Sequence, residues 1–202
     1  MPRPYLIGLT GNIACGKSTV LRQLRRLGAA TLDADAVAHQ VMGRGTPVHA
    51  AIVEAFGPAV LGPDGGIDRR ALGKIAFTDP AALARLEEIV HPAVLAHTWD
   101  WLAGVGAEVA VVDAVKLIEA GVADLCDEVW VVTCPQEEQA RRLMECRGLS
   151  REEAWERILA QPVQEEKVAR ADVVIDNSGR RSHTRVRVRA AWQAMQRRRG
   201  AR

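Results

Sequence analysis

Short apolar runs alternate along this chain with longer stretches of helical periodicity. Five runs read as β-strands, at residues 5–10, 30–32, 108–113, 128–133 and 172–176. Three are nearly continuous in apolar residues, as in Val109-Ala110-Val111-Val112, the pattern of strands covered on both faces. Strands taking turns with helices predict βαβ units, so the expected fold class is α/β, a five-stranded parallel sheet flanked by helices. Between the second and third strands lie about 75 residues of mostly helical pattern, too long for one crossover, which predicts an inserted helical lobe.

Several boundaries have a chemical cause. Pro135 suits the first turn of a helix, and Glu137 and Glu138 follow where the helix dipole favours acids. Ser150 and Glu153 have the spacing of a capping box. The helix opened there is mostly polar and flanked by Arg142, Arg147, Arg151 and Arg157, which reads as a mobile cover rather than core. His91-Pro92 reads as punctuation in a long helical stretch.

Composition narrows the class. The chain has 202 residues, 48% of them hydrophobic, enough for one globular domain with an inserted lobe and too apolar for disorder. No apolar run approaches the ~18 residues of a membrane helix, and the first one stops at Gly11-Asn12, too short for a signal peptide. Cys15, Cys126, Cys134 and Cys146 form neither a CxxC pair nor a zinc-like cluster and read as reduced thiols of a cytoplasmic protein. The net charge of +2 hides an asymmetry: residues 180–202 hold nine arginines and no acid, leaving the rest of the chain at −7. Val188, Ala191, Trp192 and Met195 share one helical face, so most of this tail is expected to pack on the acidic body. That leaves a free basic end over 197–202 and no expected nucleic-acid or membrane partner.

The sharpest signal is Gly11-Asn12-Ile13-Ala14-Cys15-Gly16-Lys17-Ser18, which fits GxxxxGK[ST] between a predicted strand and a helical run from Thr19. Backbone N–H groups from Asn12 to Ser18 can converge on phosphate oxygens at the positive end of the helix. Gly11 and Gly16 allow close approach, Lys17 reaches the β- and γ-phosphates, and the Ser18 hydroxyl can ligate Mg²⁺. The chain is therefore expected to bind a nucleoside triphosphate. Asp33, ending the second strand, has two readings: acceptor of a proton from a hydroxyl attacking the γ-phosphate, or an N-cap followed by the first-turn acid Asp35. Asp113, after the third strand, is either a second Mg²⁺ oxygen or a strand-end turn residue. Cys15 is a thiol lowered in pKa by a helix N-terminus and open to oxidation, or a small buried side chain. No NKxD guanine-reading tetrapeptide is present, which disfavours a GTPase.

With these residues assembled, the sequence resembles the dephospho-coenzyme A kinase family from about Ile7 to Gly179. The resemblance rests on ordered blocks: GLTGNIACGKST from Gly8, DADAVAHQV from Asp33, GTP at Gly45, FG at Phe56 and DRRALGKIAF from Asp68. HP at His91, RL at Arg142, GLS at Gly148 and ADVVIDNSG from Ala171 follow in order. It implies ATP-dependent phosphorylation of the ribose 3′-hydroxyl of dephospho-coenzyme A on a P-loop nucleoside-monophosphate-kinase-like fold. A core (about 1–33, 104–140 and 171–202), a helical substrate lobe (34–103) and a lid (141–170) are implied with it. Carried over by position, it implies nucleotide contacts from Ala14 to Thr19, Lys17 as phosphate clamp, and Asp33 as general base. Arg69 is implied in the substrate lobe, Arg142 as the lid arginine over the transferring group, and Asn177 near the adenine. Asp35 and His91 of the shared blocks join the acceptor-side candidates, and ATP with Mg²⁺ and dephospho-coenzyme A are the implied partners.

Two departures stand out. The family run of Asp, one residue, Pro-Leu-Leu and a later Glu is here Asp113-Ala114-Val115-Lys116-Leu117-Ile118-Glu119, making Lys116 either a phosphate contact or an exposed turn residue. The second lid arginine of RLxxR is Cys146, with Arg147 one residue late and rotated by about 100° on a helix. Two alternatives share the loop: a P-loop kinase of another small hydroxyl substrate, and a non-catalytic nucleotide-binding regulator.

Overall fold

The computed structural model describes residues 3–76 and 78–200, so Phe77 of the block from Asp68 lies outside the described residues, as do Ala201 and Arg202 of the basic end. The described residues form two compact units, one running to Leu32 and resuming at Val105, the other Asp33–Gly104.

The first unit is built on a parallel sheet of β1 (Tyr5–Thr10), β2 (Ala30–Asp33), β3 (Val109–Asp113), β4 (Glu128–Thr133) and β5 (Val173–Asp176), in the order β2-β3-β1-β4-β5. Every residue of β1 and β4 is buried, as the apolar runs at their centres require. Leu9 pairs with Asp113, Thr10 with Val131 and Thr133 with Asp176, so β1, β3, β4 and β5 end side by side. Helix α1 (Lys17–Arg26) turns Val20, Leu21 and Leu24 inward. The C-terminal helix, numbered α9 (Arg181–Gly200), brings Val188, Trp192 and Met195 into the same core, around the fully buried Trp130. Ala191 packs at its edge. Two arginines of the basic end are not free: Arg198 Nη2 lies 2.7 Å from Glu128 Oε1 and Arg199 pairs with Glu108. Buried Glu128 also accepts from Tyr5 Oη and Trp130 Nε1, so it needs a cation that the tail supplies.

The second unit holds α2 (Ala34–Val41), α3 (Pro47–Phe56), α4 (Arg69–Ala76) and α5 (Pro80–Gly104), with Ile52, Val60 and Leu72 in its core. Thr46 caps α3 by accepting from His49 N at 3.0 Å. Helix α5 runs through Pro92, correcting the expected break at His91-Pro92. Proline removes one N–H, while Val90, Val94 and Leu102 stay buried on either side and keep the helix continuous.

Between β4 and β5 come α6 (Gln136–Arg147), α7 (Arg151–Leu159) and α8 (Gln164–Ala169). Ser150 and Glu153 form both hydrogen bonds of the capping box at α7. Helix α7 is more than a polar cover: Ala154 and Ile158 are buried with Ala140 and Leu143, and Ile13 and Ala14 of the phosphate loop pack on the cluster. No helix of the described residues is long and apolar enough to cross a membrane.

Candidate phosphate-binding site

The loop joining β1 to α1 departs from ordinary backbone geometry at three places. Gly11 has φ +150° and Gly16 φ +93°, and Ala14 is the one non-glycine of the described residues with positive φ, at +57°. A Cβ at Gly16 would stand 2.0 Å from Asn177 Nδ2, and one at Gly11 2.3 Å from Val132 O, so glycine is required by space as well as by φ.

The surroundings grip the loop by its carbonyls. Arg142 Nη1 donates to Ala14 O and Cys15 O, each at 3.1 Å. Asn177 Nδ2 donates to Cys15 O at 2.7 Å, and Arg142 Nη2 to Asn177 O at 2.6 Å. Glu138 Oε1 accepts from Arg142 Nε at 2.8 Å and holds the guanidinium in place. Arg142, expected as a cover over the transferring group, here places its guanidinium on the carbonyl side of the loop. The side-chain amide of Asn177, implied near the adenine, likewise faces the loop backbone.

The loop N–H groups divide. Ile13 N donates to Gln161 Oε1 at 2.6 Å, and Asn12 Nδ2 donates to Pro162 O at 3.0 Å, so the α7–α8 turn is docked on the loop. Cys15 N donates to Asn12 O at 3.2 Å and Thr19 N to Gly16 O at 2.9 Å. The N–H groups of Ile13 and Cys15, both expected as phosphate donors, thus have partners within the protein. Among the described residues none accepts from the N–H of Gly16 or Ser18. Together with the positive end of α1 they offer donors suited to an anion.

Lys17 Nζ lies 3.6 Å from Asp113 Oδ1 at the end of β3. Among the described residues no group of three or more His, Cys, Asp or Glu side chains could hold a metal ion alone. The Ser18 hydroxyl and the Asp113 carboxylate offer two oxygens, a sparse set that fits Mg²⁺, which takes most of its shell from water and substrate phosphates. Lys116 is exposed on the segment after Asp113. That segment is pinned at Val115 O, which accepts from Thr10 Oγ1 at 3.1 Å and from Lys167 Nζ at 2.5 Å. Buried Lys167 also pairs with Glu119 at 3.1 Å.

Cys15 is buried, and its thiol is pushed up to about 12 by that burial, with Lys17 too weak an opposing influence. Of the two readings of Cys15, the small buried side chain is the one its burial supports. Cys146 and Arg147 are exposed near the end of α6.

In the second unit Asp33 Oδ1 accepts from Ala36 N at 2.9 Å as the N-cap of α2, and Asp35 follows in the first turn. Arg69 opens α4, where Asp68 Oδ1 accepts from the N–H groups of Arg70 and Ala71. His91 lies half-buried in the middle of α5. Sequence reasoning missed Glu138, Gln161, Lys167 and Thr184. Gln161 and Lys167 reach segments 148 and 52 positions away. The short-range partners of Glu138 and Thr184, Arg142 and Asn177, gain meaning only through the distant loop that those partners touch.

A phosphate loop between the first strand and first helix of a parallel 2-3-1-4-5 sheet, with a helical unit inserted after β2, defines a P-loop kinase. The family model of dephospho-CoA kinase matches residues 5–183, and the chain belongs to that family. A dephospho-CoA kinase from Geobacter sulfurreducens is 51% identical over 190 residues, covering 93% of this chain and 96% of its own. Among solved structures, a Thermus thermophilus protein is similar at TM-score 0.85 and 38% identity, covering 96% of this chain and 98% of that one. The dephospho-CoA kinase from Campylobacter jejuni is similar at TM-score 0.67 and 28% identity, covering 95% and 97%.

Proposed function

We propose that the chain transfers the γ-phosphoryl group of ATP to the ribose 3′-hydroxyl of dephospho-coenzyme A, giving coenzyme A and ADP. The observation that carries this reading is a fully shaped phosphate loop inside a family match spanning residues 5–183. In the transfer the 3′-oxygen bonds to the γ-phosphorus, the bond from that phosphorus to the β–γ bridging oxygen breaks, and ADP leaves with the electron pair. Asp33 orients the 3′-hydroxyl and takes its proton. Its N-cap bond engages Oδ1 with Ala36 N and fixes the carboxylate for that task. Lys17 and the N–H groups of Gly16 and Ser18 hold the triphosphate. The Ser18 hydroxyl and the Asp113 carboxylate would hold Mg²⁺, which when bound supplies charge neutralisation at the β- and γ-phosphates. Asp35, Arg69, His91 and Lys116 serve the acceptor. Arg142 and Asn177 act on the nucleotide through the loop they brace.

ADP release with ATP, Mg²⁺ and a panel of dephospho-coenzyme A, nucleosides, nucleotides and shikimate tests the substrate; turnover confined to another acceptor, or none with ATP still bound, overturns the reading. Asp33→Asn is expected to keep ATP binding and to lose about 10²–10⁴-fold in turnover, the usual contribution of a general base. A variant near the full rate removes Asp33 from that role.

A further inference from the structure

We propose that Thr184 is a positioning residue for nucleotide binding, acting through Asn177 to set the direction of the Gly16 N–H. The inference rests on the reading of the loop as a nucleotide site and extends it to the C-terminal helix. Thr184 lies one residue past the end of the family match, in the first turn of α9. It is 0% exposed and its Oγ1 donates to Asn177 Oδ1 at 2.6 Å. Asn177 is 5% exposed.

Cys15 O can only accept, so the amide of Asn177 must present Nδ2 to it, at 2.7 Å. Oδ1 is then turned into the interior, where an acceptor without a donor is costly. Thr184 supplies that donor and so locks the amide in the orientation the loop needs. Cys15 O, held by Asn177 Nδ2 and by Arg142 Nη1, fixes the plane of the Cys15–Gly16 peptide. In a planar trans peptide the N–H points opposite to the C=O. The Gly16 N–H therefore points away from both braces, toward the open face of the loop, and among the described residues nothing accepts from it. A phosphate oxygen is the acceptor it is aimed at.

The test is calorimetric binding of ADP and of ATP without acceptor, joined to steady-state KM values for both substrates, on Thr184→Val, Thr184→Ser and Asn177→Asp. Valine keeps the branched shape and loses the hydroxyl. It is expected to weaken ADP and ATP binding about fivefold to tenfold, the scale of one lost buried hydrogen bond. The KM for dephospho-coenzyme A stays within about twofold, and serine restores nucleotide affinity. The carboxylate introduced by Asn177→Asp turns an acceptor toward Cys15 O, so this variant weakens nucleotide binding further and covers the case of a valine variant that does not fold. Unchanged affinity in the valine or the aspartate variant overturns the proposal. So does a serine variant as weak as valine, or an equal shift in both KM values, which marks general distortion. A wild-type protein that binds ADP but does not phosphorylate dephospho-coenzyme A sinks the functional reading and leaves this comparison readable.

Discussion

At Cys15 the side chain and the main chain have separate tasks. The carbonyl is gripped by Arg142 and Asn177, while the thiol is buried and held near 12 by desolvation. Burial likewise pushes Cys126 up to about 12 and Cys134 up to about 11, and Cys146 alone of the four is exposed. Brief iodoacetamide treatment of the native protein at neutral pH is therefore expected to label Cys146; mass spectrometry finding Cys15 labelled at a comparable rate would contradict this. Gly16 makes the opposite case, where the residue type is indispensable. At φ +93°, with Asn177 Nδ2 2.0 Å from the added methyl, Gly16→Ala is expected to raise the KM for ATP by more than about tenfold. Kinetics at near-wild-type ATP affinity would show that the amide can move aside at no cost.

Among the elements, α6 and α9 hold the loop from outside. Glu138 on α6 has its pKa lowered by the hydrogen bond from Arg141; burial opposes the shift and Arg142 reinforces it. A carboxylate with a depressed folded pKa gives stability that is complete above its unfolded value of about 4.3 and is lost as pH falls through the lower folded value. The melting temperature of the wild type is thus expected to fall more steeply below about pH 4.5 than that of Glu138→Gln, measured by circular dichroism. Parallel slopes would remove Glu138 from the account. On α9, Arg198 answers the buried Glu128 from a half-exposed position. Deleting residues from Arg197 onward is expected to lower the melting temperature by several degrees, because the buried Glu128 loses its cation, with turnover at 25 °C unchanged. A tail whose removal abolishes turnover would instead belong to the site.

Across the whole molecule, ligand protection should follow the two units. In hydrogen exchange, ADP is expected to slow amides within residues 11–19 and around Asn177, and dephospho-coenzyme A amides within Asp33–Gly104; protection in the reverse pattern would exchange the assigned roles. Much of this organisation is legible in the sequence. Strands β1, β3 and β4 declare themselves because burial on both faces demands unbroken apolar runs, and Gly11, Gly16 and Lys17 because the loop is one contiguous stretch. The route of α5 through Pro92 is not legible, since tertiary packing overrides the local break. Nor are the contacts of Asn177 and Gln161 with the loop, which bring together distant segments. Asn177 and Cys15 are 162 positions apart. That separation has a consequence in time. Asn177 is synthesised 162 residues after Cys15, so a chain halted between them carries the motif without the amide that braces it. Closing so long a loop is a slow step, and competence to bind ATP is accordingly expected among the last properties the folding chain acquires.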